Sequence, residues 1–142
     1  METYKELRRR HQQEYDAFSD KKIFYAFNQT QFEEGRKKLH IPKGKVRSIA
    51  AGGYCHVDDY KEVIEMFKRH HDELRKAIEE DKTGKDFIAD MLVYEMINHE
   101  FSYTQDLNET LGACGLTLDD VGKHENIAKG LAIAINRINK EE

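Results

Sequence analysis

Cysteine and proline are scarce in this chain: 142 residues hold two cysteines and one proline. Cys55 and Cys114 are too few for a disulfide framework, and Pro42, with Gly44, marks a single point of punctuation. No apolar run approaches the roughly 18 residues that a membrane span needs, and no charged-then-apolar leader opens the sequence. These absences predict a cytoplasmic protein with reduced thiols and exclude membrane association. Internal repeats, low-complexity tracts and long linkers are missing too. Residues 1–142 are therefore read as a single domain, long enough to bury a core and short for two.

What is present is a highly charged soluble composition, 39% hydrophobic and 35% charged. Residues 1–50 hold 12 Lys/Arg against 7 Asp/Glu, a net of +5, and residues 51–142 hold 11 against 20, a net of −9. A basic first third could touch phosphates or an acidic partner, but the better reading is a solvated face, because the cations are interleaved with acids at helical spacing. No direct nucleic-acid binding is expected from so modest an imbalance.

Helical periodicity dominates the chain. Residues 2–18 place Tyr4, Leu7, His11, Tyr15 and Phe18 three or four apart. The aromatic run 23–27 reads as a strand. Asn28 or Thr30 then caps a helix to about Leu39. Residues 46–49 and 54–57 are β-like, and one or both should pair with 23–27. A long helix starts at Asp58 or Asp59, with Tyr60, Ile64, Phe67, His71, Leu74 and Ile78 on one stripe. Thr83-Gly84 breaks the chain before a helix over 86–101. A shorter helix spans 105–113 and stops at Gly112 or Gly115, Thr117-Leu-Asp-Asp120 reads as a cap, and 126–138 is helical. The predicted fold is α+β and predominantly α-helical, a helical domain with a small two- or three-stranded antiparallel sheet.

The sharpest chemistry lies in the helix over 86–101. Glu95 and His99, four apart, share a face with Ile88, Met91 and Leu92. Burial of a carboxylate and an imidazole demands partners, which either a metal ion or a hydrogen-bond network supplies. His99-Glu100 begins like the zinc-protease pattern His-Glu-x-x-His, but residue 103 is tyrosine and the pattern is broken. His70 is the candidate third ligand, because antiparallel helices joined at residues 82–85 would bring it to the height of Glu95 and His99. The expectation is one zinc ion bound by His70, Glu95 and His99 or a subset. Cys55 and His56 are adjacent and point to opposite faces of a strand, so both rarely bind one ion. Cys114 reads as a packing residue, and His11, His40 and His124 as surface or cap residues. Gly52-Gly53 lacks the pattern of a phosphate-binding loop.

Phe24-Tyr-Ala-Phe27, Gln31-Phe-Glu-Glu-Gly35, Gly52-Gly-Tyr54, Met66-Phe-Lys-Arg-His70, Asp81-Lys-Thr-Gly84 and above all Tyr94-Glu-Met-Ile-Asn-His-Glu100 with Tyr103, Thr104 and Asp106 resemble a family of small proteins carried by phages and mobile elements of Firmicutes and other gut bacteria. The resemblance covers about residues 4–135. The chain departs from the family's pattern at Cys55, His56 and His71, so a ligand role there would be its own. The resemblance implies a non-enzymatic interaction protein that disables a host defence system, most concretely an anti-CRISPR-type inhibitor binding a type II CRISPR effector nuclease, with a structural zinc. Two other readings stand beside it, a metal-dependent hydrolase using Glu95 and His99 and a regulatory DNA-binding protein.

Overall fold

Residues 1–140 are described by the computed structural model, and their elements are eight α-helices, one short 3-10 helix at Ala50–Gly52 and one three-stranded antiparallel sheet. The chain divides into two compact units, one formed by Met1–Arg8 and His71–Glu142, the other by Arg9–His70. Helices α1 (Tyr4–Lys22) and α3 (Tyr60–Glu80) contribute residues to both.

In the unit Arg9–His70, the strands are β1 (Ile23–Tyr25), β2 (Val46–Ser48) and β3 (Gly53–His56), and β3 is central. Ile23 and Arg47 both lie opposite Cys55, while Phe24 and Ser48 both lie opposite Tyr54. Because strand side chains alternate between faces, this register sends Ile23 and Cys55 to one side. There they pack with Val63, Tyr15, Phe18 and Phe67 of α1 and α3. Phe24 and Tyr54 go to the other side and meet Phe32 and Leu39. Those two residues belong to or cap α2 (Gln29–Lys38), whose N-cap Asn28 accepts a hydrogen bond from the Gln31 amide at 2.8 Å. The sheet is thus covered on both faces. That explains why β1, Ile-Phe-Tyr, is apolar and aromatic despite being only three residues long, whereas Arg47 and Ser48 of the edge strand β2 stay exposed.

The other unit is helical. Helix α4 (Phe87–Asn98) is its centre, with Ile88, Met91 and Leu92 fully buried. Around it lie α5 (Phe101–Thr104), α6 (Leu107–Ala113), α7 (Leu118–Lys123) and α8 (Glu125–Lys140). Ile127, Leu131, Ala134 and Ile138 form the buried stripe of α8 in the same core. Thr117 and Asp120 close a reciprocal capping box at the start of α7, as their spacing predicts.

Where α3 turns into α4, Asp81 organises the corner. One of its carboxylate oxygens accepts from the Gly84 amide at 3.0 Å, and the other from the amides of Asp86 at 3.2 Å and Ile88 at 3.0 Å. It thereby satisfies donors at the α4 N-terminus that the helix itself leaves open. Asn126 of α8 donates to the carbonyls of Ile78 and Asp81 at 3.2 and 3.0 Å. Here α8 comes close enough that a Cβ on Gly130 would lie 2.4 Å from Ile88 Cγ2. Only glycine fits.

The helix predicted over 86–101 ends early. His99 caps α4, and Glu100 adopts the left-handed conformation at φ 53°, so α5 sets off in a new direction. Among the described residues, no helix is long and apolar enough to cross a membrane.

Candidate functional site: a buried carboxylate network and an adjoining groove

Glu95 is 3% exposed in the last turn of α4. Burying a carboxylate is costly unless its oxygens find donors or counter-charges, and the chain supplies one of each, with an imidazole nearby. The Tyr4 hydroxyl donates to Glu95 Oε1 at 3.0 Å, and Arg8 Nε lies 3.8 Å from the same oxygen. His99 Nε2 stands 3.6 Å from Oε2, while its Nδ1 faces the exposed Glu109 carboxylate at 3.5 Å. The imidazole thus stands between a buried carboxylate and an exposed one. Burial, and then the Glu95 carboxylate, raise the Tyr4 pKa far above its ordinary range. The hydroxyl therefore stays protonated at neutral pH. The same two causes, in that order, push the Cys114 thiol up to about 12, which leaves it a packing group rather than a nucleophile.

The sequence brings Glu95 and His99 together through their spacing of four, and they do meet. Two ligands on one tetrahedral zinc would stand about 3.4 Å apart, given bonds of about 2.1 Å. Their 3.6 Å separation is close to that. Arg8, however, already places a positive charge beside the carboxylate, and among the described residues no group of three or more His, Cys, Asp or Glu side chains is arranged to hold a metal. His70 belongs to the other unit. There its Nε2 lies 2.6 Å from Glu14 Oε1, and its ring stacks on His11 with centroids 3.9 Å apart. Arg69 grips the same Glu14 carboxylate with both terminal nitrogens, at 2.9 and 2.5 Å. Cys55 is fully buried in the sheet, and His56 accepts from the Asp58 amide at 2.9 Å.

Sequence reasoning missed Tyr4 and Arg8 as members of the site. Tyr4 is 91 residues from Glu95, so no local spacing announces the pair. The available signal was a tyrosine on an apolar stripe, whose hydroxyl needs a partner when buried.

Beside this network, residues of α1 and α4 form a groove of about 460 Å³ lined by Tyr4, Lys5, Val93, Tyr94, Ile97 and Asn98 among others. Tyr4 and Tyr94 meet edge to face at 5.6 Å, and the Arg8 guanidinium lies over the Tyr94 ring at 5.3 Å. Ile97 is 61% exposed at its edge.

A family of unknown function, DUF7659, matches residues 3–137. The chain belongs to the DUF7659 family. No curated protein and no solved structure matches it. The DUF7659 match takes in both units and every residue of the Glu95 network.

Proposed function

We propose that this DUF7659 protein acts by binding a protein partner rather than by catalysis, and that the groove between α1 and α4 is the contact surface. The observation that carries this reading is the groove itself, a concave apolar site with Tyr94 on its wall and Ile97 exposed at its edge. Exposed apolar side chains beside a concavity are what a docking site requires. Aromatic anchors in such pockets carry most of the energy of protein interfaces.

The Glu95 network supports this reading as a scaffold. Tyr4 reaches from the groove wall to Glu95, so the buried carboxylate fixes the side chains that a partner would meet. Zinc is an optional addition to the Glu95 and His99 pair in this reading, not the centre of a reaction. The resemblance to proteins of phages and mobile elements supports a host defence protein as the partner, and a type II CRISPR effector nuclease is the first to test.

The experiment places a photo-crosslinking residue at position 97 and measures DNA cleavage by a purified type II effector with the wild type and with Ile97→Asp. Expected are crosslinking to the effector, inhibition by the wild type, and loss of both with Ile97→Asp at unchanged thermal stability. Metal-dependent turnover of a nuclease, phosphatase or peptidase substrate, abolished by Glu100→Gln in a folded variant, would replace this reading with a hydrolase.

A further inference from the structure

The unit Arg9–His70 carries 13 Lys/Arg against 9 Asp/Glu, a net of +4, in a chain whose total is −4. The excess is concentrated. Residues 35–57 contain six Lys/Arg, two His and no Asp/Glu. Two of the six are committed: Arg36 is buried against Glu33 at 2.7 Å, and Arg47 lies over the Tyr60 ring at 3.6 Å. Lys37, Lys38, Lys43 and Lys45 are exposed, and among the described residues none of the four has an ion-pair partner.

These four lysines stand on a braced platform rather than on a loose loop. After α2 the chain folds back so that the Ile41 amide donates to the Arg36 carbonyl at 3.0 Å, and Arg36 Nη1 returns a hydrogen bond to the Ile41 carbonyl at 2.9 Å. Ile41 is buried in the core beneath. The Lys45 amide then closes a tight turn onto the Pro42 carbonyl at 3.1 Å, and the Val57 amide ties the Lys45 carbonyl to the start of α3 at 2.9 Å. Lys37 and Lys43 both act on Glu33, whose carboxyl is held below its usual range chiefly by Arg36. The backbone ties Ile41 to Arg36 and Lys45 to Pro42 hold the turn that carries Lys43 and Lys45 against the end of α2 that carries Lys37 and Lys38, with the Glu33 carboxylate paired to Arg36 beside them.

We propose that this surface of Lys37, Lys38, Lys43 and Lys45 binds the phosphate backbone of double-stranded DNA without reading its sequence. Four exposed ammonium groups with no carboxylate between them in sequence suit a polyanion, for which counterion release drives association. Duplex rather than single-stranded DNA is indicated by where the aromatics lie. The exposed Tyr25 pairs with Gly53, and Phe27 lies against Gly52, at one end of the sheet. Lys45 precedes Val46, which pairs with His56 at the other end. Among the described residues, the exposed aromatics of this unit therefore lie at the opposite end of the sheet from Lys45, and the Tyr60 ring is already covered by Arg47, so no open stacking platform of the kind single strands use stands beside Lys45. This inference concerns the unit Arg9–His70 and does not depend on the groove reading.

The test is fluorescence anisotropy of the full chain with a labelled duplex of arbitrary sequence, between 50 and 200 mM NaCl. Four phosphate contacts predict a slope of about −3.6 in log affinity against log salt, a loss of roughly 150-fold over that range. The combined variant Lys37→Ala, Lys38→Ala, Lys43→Ala, Lys45→Ala should lose at least about tenfold in affinity at 50 mM, with a flatter salt slope and an unchanged melting curve. The corresponding Lys→Arg variant should retain binding, as should a variant with Lys82, Lys85, Lys123 and Lys129 replaced by alanine. No binding at 50 mM, indifference to the four alanines, tighter binding of the single strand, or equal competition by polyglutamate would each overturn the proposal, the last in favour of an acidic protein.

Discussion

Replacing Tyr4 with phenylalanine removes one oxygen and leaves the ring, and with it the edge-to-face contacts to Phe87 and Tyr94. What is lost is the 3.0 Å hydrogen bond to a carboxylate that is 3% exposed. A hydrogen bond to a charged group contributes about 1.5–3 kcal/mol, and an abandoned buried acceptor makes the loss fall at the upper end. Arg8 and His99 remain near Glu95, at 3.8 and 3.6 Å, neither within direct hydrogen-bonding distance, so they offset only part of it. We expect a cost of about 2 kcal/mol for Tyr4→Phe. Glu95→Gln should cost a comparable amount. The double variant should cost less than the sum by at least about 1 kcal/mol, because the two residues lie in one network. Hydrogen exchange of the α4 amides reads this locally. A pH series adds a second signature. A hydroxyl whose pKa is raised in the folded state contributes stability that is fully present below its ordinary value of 10.0 and is lost as pH rises beyond it. The wild type should weaken above about pH 10 more steeply than Tyr4→Phe. Additive single-variant costs, or a Tyr4→Phe protein as stable as the wild type, would refute the account of Glu95 as a satisfied buried anchor.

Two further outcomes are expected. Gly130→Ala should destabilise the helical unit by about 1–3 kcal/mol or more through overpacking, since its Cβ would stand 2.4 Å from Ile88 Cγ2 and 2.9 Å from the Gly84 carbonyl oxygen; thermal unfolding followed by circular dichroism measures it. In the other unit, Arg69 and then His70 hold the Glu14 carboxyl down at about 2 against an ordinary 4.5. Its contribution is complete above pH 4.5 and is lost as pH falls toward 2, so Glu14→Gln should flatten the acid limb of the stability profile.

The helical stripes of α3 and α8 were legible because burial of one face leaves a period of three and four in the chain. The strands were legible as short aromatic and β-branched runs, but their order was not. That β3 lies between β1 and β2 depends on which pairings cover both faces of the sheet, and no single segment encodes it. The end of α4 was hidden because neither glycine nor proline stands between Asn98 and Phe101. A glutamate takes the left-handed position there, at φ 53°. Glu95 and His99 were visible as a pair because they are neighbours on one helix. Tyr4 and Arg8, nearly a hundred residues away in sequence, could not be found by spacing. Asp81 stands six residues ahead of Phe87, too far for an N-cap pattern to show it, although its carboxylate organises the start of α4.

The bond between Tyr4 and Glu95 joins positions 91 residues apart, and the whole of Arg9–His70 lies inside the stretch of chain that it closes. During synthesis Tyr4, Leu7 and Arg8 are made before any of this stretch, yet their partners on α4 emerge from the ribosome only after Arg9–His70 is complete. Until then Tyr4 and Arg8 lack the Glu95 carboxylate that they meet in the folded chain. The closure entropy of so long a loop grows only logarithmically with length, so the wait carries a kinetic penalty more than a thermodynamic one. The helical unit is consequently the last part of the chain able to assemble, because the segment that carries Tyr4 and Arg8 closes onto α4 only once both are made.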